Sequence, residues 1–180
     1  MKTLRLVIFL VLALVQVSVP ASMIWKRQRT LREGRVWKFR TAPVDPVDAM
    51  RGRYLILSFT AERFRWDAPL TWEDKLFYVT LKEEDGFAVV ESVSYEPRSG
   101  DNVVRAENYG YYEGHLRIGF PFDRFWLSEG DAQAAEAAYM AHSRPESANA
   151  YALVRVTNGD AAIEDIYIAD QPLREYLRKR

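Results

Sequence analysis

Twenty residues near the start of the chain constrain its fold more than any others. From Leu6 to Trp25 the sequence is almost wholly apolar, with Gln16 and Ser18 as its clear polar breaks and a further serine at Ser22. A helix of that length rises about 30 Å, the thickness of a bilayer's hydrocarbon core. Lys2 and Arg5 precede it, and Lys26, Arg27, Arg29, Arg32 and Arg35 follow it. Lys2, Arg5 and Leu6–Val15 make the basic and apolar regions of a secretory signal, and Val19-Pro20-Ala21 offers small residues for cleavage, although Pro20 beside that site is unfavourable. Read as an uncleaved anchor, the same segment puts Trp25 at the interface and Lys26 and Arg27 among the head groups. The anchor is the preferred reading. Orientation pulls two ways. The far flank is the more basic, which by the positive-inside rule keeps the body in the cytosol. The signal-like start and a body without cysteine favour export.

The 180 residues carry 25 basic and 25 acidic side chains. Residues 1–40 hold nine Lys/Arg and one acid, leaving 16 basic and 24 acidic residues over 41–180. An acidic body repels phosphates, which argues against a nucleic-acid partner. Zero cysteines exclude disulfides, a thiol nucleophile and sulfur-ligated metals, and two histidines leave little for a histidine metal site. The body is too rich in apolar and aromatic residues for disorder.

Alternation predicts strands over most of that body. Val36–Arg40, Tyr54–Phe59, Lys75–Lys82 and Phe87–Tyr95 are candidates, the last two joined at Asp85-Gly86. Val103–Arg105, Tyr109–Tyr112 and His115–Phe120 are shorter ones, and Tyr151–Thr157 with Ala161–Ile168 make a hairpin around Asn158-Gly159. The alanine-rich stretch from Ser128 to Ala141 predicts the one helix of the body, with Ser128 and Asp131 as a weak capping box. The expected architecture is mainly β: a small barrel or sandwich with one short helix, behind a transmembrane or signal-anchor helix. The expected division is an anchor and basic linker over 1–33, a β-rich extracytoplasmic domain over 34–172 and a basic tail over 173–180.

Chemistry-bearing residues concentrate between Pro43 and Arg65. Asp45 and Asp48 could hold a divalent cation through oxygen, but Asp-Pro opens turns and Asp48 suits a helical cap, so the structural role is preferred. Gly52 supplies a conformation other residues avoid. Arg51, Arg53, Arg63 and Arg65 cluster around one strand and could grip an anionic lipid or a partner's carboxylates. Ser58 and Lys75 could form a serine–lysine dyad, but Ser58 lies inside a strand with no turn to expose it. Glu129 opens the body helix, where a carboxylate complements the dipole. No glycine-rich nucleotide motif and no G-x-S-x-G occurs, and no residue pattern calls for a cofactor.

Gly52-Arg53-Tyr54-Leu55-Ile56-Leu57-Ser58-Phe59, preceded by Pro43-Val44-Asp45-Pro46-Val47-Asp48, resembles the signature of the GDYXXLXY family, Gly-Asp-Tyr-x-x-Leu-x-Tyr after a Pro-x-Asp-Pro-x-Asp run. Gly52, Tyr54 and Leu57 match. Arg53 replaces the acid and reverses its charge; Phe59 replaces the last tyrosine and keeps its ring. Arg124-Phe125-Trp126-Leu127-Ser128-Glu129-Gly130 resembles the family's later aromatic stretch ending in Glu-Gly. The resemblance implies a bacterial inner-membrane protein with an N-terminal anchor and an extracytoplasmic β-rich domain, often encoded beside multi-span membrane proteins, and it implies no established activity.

Alternation places Tyr54, Ile56 and Ser58 on one face of the motif strand and Leu55, Leu57 and Phe59 on the other, which predicts a strand buried on both sides. The functional expectation is a non-enzymatic, membrane-anchored partner of a multi-span membrane protein. The alternatives are an envelope module binding an anionic lipid head group or glycan, and a carboxylate-dependent hydrolase.

Overall fold

The computed structural model describes residues 2–44, 54–67, 76–144 and 147–179. Asp45, Asp48, Arg51, Gly52 and Arg53 lie outside the described residues, as does Lys75.

Helix α1 (Lys2–Glu33) runs through Pro20 without ending, and its segment from Leu6 onward is long and apolar enough to cross a membrane. Its large apolar side chains from Leu6 to Trp25 are exposed all round. A helix that is apolar on every side and covered by nothing has the character of a membrane span. Residues 26–33, expected as a basic linker, instead extend α1 onto the body. Thr30 is buried there, and Lys26 pairs with Asp160 at 2.8 Å. Gly34 ends the helix, its N–H donating to the Thr30 carbonyl at 3.0 Å. A Cβ on Gly34 would lie 2.5 Å from that carbonyl, so glycine lets the helix pass straight into the first strand.

The body is mostly β, with open sheets. One five-stranded antiparallel sheet has the order β12-β11-β10-β1-β3: β1 (Arg35–Ala42), β3 (Ser58–Phe59), β10 (Ala150–Thr157), β11 (Asp160–Ile168) and β12 (Gln171–Pro172). The second has the order β4-β8-β7-β5-β6: β4 (Arg63–Arg65), β5 (Leu76–Glu84), β6 (Phe87–Ser94), β7 (Val103–Tyr112) and β8 (His115–Gly119). A two-stranded ribbon, β2 (Tyr54–Ile56) with β9 (Arg124–Trp126), completes the strands. Of the two architectures expected, the sheets therefore follow the open one rather than the closed barrel. Their inner faces meet in one core, where Trp37, Phe39, Val154 and Ile166 join Phe77, Val79, Leu81, Leu116 and Ile118. Asp85-Gly86 and Asn158-Gly159 turn the two predicted hairpins, all four residues at positive φ, as tight hairpin turns require.

Three expectations are corrected. Val103–Arg105 and Tyr109–Tyr112 are one strand, β7, interrupted by a bulge at Tyr109. Among its described residues the body carries two helices, α2 (Glu129–His142) and α3 (Leu173–Arg178), besides a 3-10 turn at Thr60–Glu62. The segment expected as a basic tail is thus α3, whose Leu173 is fully buried. The Ser128 hydroxyl donates to the Asp131 carboxylate at 2.6 Å and caps no backbone N–H of α2, so the capping box does not form.

Candidate functional site

The motif strand is where the sheets exchange partners. Tyr54, Leu55 and Ile56 pair with Trp126, Phe125 and Arg124; the Leu57 N–H donates to the Asp123 carbonyl at 2.8 Å; Ser58 and Phe59 pair with Ala42 and Thr41. Leu55, Leu57 and Phe59 are 1–2% exposed. The Phe59 ring lies 5.6 Å from Phe39 and 5.4 Å from Phe122, inside a cluster of phenylalanines that Phe120 completes. A tyrosine hydroxyl among those rings would need a polar partner.

Tyr54, Ile56 and Ser58 are only half-buried, contrary to the expectation of burial on both sides. Their face is held by groups from elsewhere in the chain. Tyr54 packs on Trp126 at 5.1 Å, with the Arg124 guanidinium 5.2 Å over its ring. The Ser58 hydroxyl donates to Glu62 at 2.8 Å, and the Phe59 N–H donates to the other Glu62 oxygen at 2.9 Å. Burial pushes the Glu62 carboxyl above its usual range, against the lowering effect of those two bonds and of Arg117. From α2, the fully buried Tyr139 hydroxyl accepts the Ser58 N–H at 3.2 Å and donates to the Ala42 carbonyl at 3.0 Å. The Ser58 hydroxyl is thus engaged with a carboxylate, and Lys75, the other half of the dyad considered, lies outside the described residues.

Beyond this strand the outer face of the second sheet carries cations and rings. Arg63 stands opposite Arg117 and Arg65 opposite His115 across the β4–β8 ladder. Arg63 and Arg117 are like charges directly opposed, which costs a sheet stability, and Glu62 lies near enough to Arg117 to offset part of that cost. Arg65 reaches Asp67 at 3.5 Å, and both groups are about 80% exposed, so the pair contributes little. Tyr109, the bulged residue of β7, lays its ring over Gly119, where a Cβ would approach it to 2.5 Å. Bulges commonly re-aim one side chain in this way. Asp123, Glu107, Arg124 and Glu62 are close enough to influence the Tyr109 hydroxyl, which burial and these acids push upward. Tyr109 and Trp126 are each 57% exposed and Tyr112 is 76% exposed. Tyr54, Trp126 and Arg124 thus stack together, Arg124 lies near Tyr109, and Arg117 stands opposite Arg63.

Of the residues singled out from sequence, Tyr54 belongs to the first of these groups and Arg63 to the last, with Arg65 on the same strand, while Leu57 and Phe59 belong to the core. Glu129 is the first residue of α2, and its side chain lies outside the described residues. Among the described residues no three His, Asp or Glu gather as a metal site. Glu62, Tyr109, Arg117 and Tyr139 were not anticipated as site residues, and Trp126 entered only within the aromatic stretch that resembles the family's. One signal was available for Tyr139, a large polar ring alone among alanines on a helix.

No curated protein and no solved structure matches the chain. A family model described as GDYXXLXY protein matches residues 16–166, from within the apolar helix to β11. That span covers the motif strand, its partner β9, the whole second sheet and the first sheet short of the end of β11 and of β12, and the chain belongs to the GDYXXLXY family.

Proposed function

We propose that this protein is a non-enzymatic interaction protein, held in the bacterial inner membrane by α1, whose extracytoplasmic β domain binds a multi-span membrane partner. One observation carries this reading: the outward face beside the motif strand exposes Tyr109, Tyr112 and Trp126 next to Arg63, Arg117 and Arg124. Exposed tyrosine, tryptophan and arginine are the residues that anchor protein interfaces. The placement of that face fits a partner rising from the same membrane. The β10–β11 turn docks beside the end of α1, and β7 starts at that turn, where the Arg105 N–H donates to the Gly159 carbonyl at 2.9 Å. From there to Tyr112 the strand extends about 25 Å.

The test is to tag the C-terminus of the full chain, solubilise native membranes in mild detergent, cross-link and identify what is retained. A stoichiometric multi-span protein is expected. Trp126→Ala combined with Tyr112→Ala should weaken its retention about 30-fold, as loss of a hot spot does, in a chain that still folds cooperatively. A chain that purifies alone, or a partner held equally by the double variant, overturns the assignment of this face.

A further inference from the structure

The β10–β11 turn does more than join two strands. Asn158 and Gly159 form its tip, and the tip separates two grooves. The larger, about 430 Å³, lies between the tip and α1, lined by Met23, Trp25, Lys26, Arg29, Asn158 and Asp160. The smaller, about 240 Å³, lies on the other side, where Arg98 and Arg105 face Asn158 and Gly159. We infer that this collar binds the head group of an anionic phospholipid, an inference that rests on α1 being a membrane anchor.

Depth is the first argument. The larger groove follows α1 from Ser22 to Thr30, about 12 Å of helix rise, across the point where the apolar run gives way to charge. That distance spans one head-group layer above the hydrocarbon. Met23 and Trp25 supply the apolar floor, and the Arg29 guanidinium stands 5.9 Å from the Trp25 ring.

Charge is the second. Lys26, Arg29, Arg98 and Arg105 line the two grooves, against Asp160 in their lining and Asp101, which pairs with Arg35, beside the tip; Arg27 and Arg32 add charge to the same end of α1. Asp160 is shared, 2.8 Å from Lys26 and 3.5 Å from Arg105, and it holds one cation from each groove in place. The Arg29–Glu33 pair is more than half exposed on both sides, so it yields easily to a phosphate. Among the described residues Arg27, Arg32 and Arg98 form no ion pair. A basic cluster immediately after a membrane span attracts anionic lipid in proportion to its charge. Here the fixed tip adds a shaped receptor, which a linear basic segment lacks. The arginines of β4 lie at the other end of the second sheet from this collar.

The experiment reconstitutes the full chain into nanodiscs of equal phosphatidylcholine and phosphatidylglycerol, releases it in the gas phase, and counts retained lipids by native mass spectrometry. Phosphatidylglycerol should be retained preferentially. Arg29→Gln with Arg98→Gln leaves the Asp160 pairs intact and should reduce that preference about fivefold for each cation removed. Adding Lys26→Gln and Arg105→Gln should abolish it, while Arg63→Gln with Arg65→Gln should leave it unchanged. Equal retention of both lipids by an incorporated chain overturns the collar and leaves the anchor standing. Failure to incorporate at all overturns the anchor and the collar with it. Loss of preference in the β4 variant alone moves the lipid site away from the collar and overturns the inference.

Discussion

The two faces of the motif strand follow different physical rules. Leu55, Leu57 and Phe59 are specified by volume and by absence of polar atoms, and removing each from water stabilises the fold by roughly 1.5–3 kcal/mol. Tyr54, Ile56 and Ser58, one residue out of phase, are specified by partners: Trp126 and Arg124 for Tyr54, Glu62 and Tyr139 for Ser58. Of the three motif positions that match the family, the two among the described residues, Tyr54 and Leu57, fall on opposite faces. The signature therefore records a fold requirement and a surface requirement in one strand. The inner face should respond to substitution through stability, and the outer face through polar networks and binding.

The largest expected effect is on the inner face. Phe59→Ala removes a ring enclosed by Phe39, Phe120 and Phe122 and leaves a cavity, which destabilises by about 3–5 kcal/mol. Denaturant unfolding of the detergent-solubilised chain would register this as a lower midpoint with unchanged slope. A loss under 1 kcal/mol would show that the two faces do not differ as described. Phe59→Tyr sharpens the same point, because the family's own residue would bring a hydroxyl into this cluster without a partner.

Tyr139→Phe is next and touches the outer network. It deletes the hydroxyl that holds Ser58 and Ala42, leaving a part-buried N–H and a part-buried carbonyl short of a partner, at about 1 kcal/mol. The apolar ring stays in place, so packing of α2 survives. Amide hydrogen exchange should accelerate at Ser58 more than at Leu55. Equal acceleration along the strand would mean that the hydroxyl supports the whole element and not its outer side.

How much of this was legible differs between the same two faces. Period-two alternation assigned Leu55, Leu57 and Phe59 to one side, because burial of a strand face is a local property of the sequence. The Asp85-Gly86 and Asn158-Gly159 turns were equally readable, since positive φ selects those residues. What alternation cannot carry is the partner supplied from far along the chain. Tyr139 lies 81 residues from Ser58, and Trp126 faces Tyr54 only because β9 pairs with β2. The bulge at Tyr109 was hidden for a related reason: an inserted residue breaks the period, and the strand reads as two short ones. The continuation of α1 past Trp25 was missed because its charged residues signal the end of a span, whereas the buried Thr30 and the close-packed Gly34 that dock it are set by contact with the body.

The smallest effect separates charge from packing on the outer face. Glu62 accepts two hydrogen bonds, yet burial dominates and raises its carboxyl above the ordinary value near 4.5. A carboxyl whose folded value exceeds its unfolded one binds more protons in the folded state. Its stabilising contribution is full below about pH 4.5 and is lost as pH rises through the higher folded value. Glu62→Gln keeps the shape and removes the titration, so the stability difference between wild type and variant should shift against wild type as pH rises from 4.5 toward neutrality. Melting curves of both chains across that range read the difference directly. A parallel pair of curves would mean that Glu62 is charged at no net penalty, with Arg117 and the Ser58 hydroxyl offsetting its burial in full. The outer face would then be held by charge pairing, and its arginines would be structural as well as exposed.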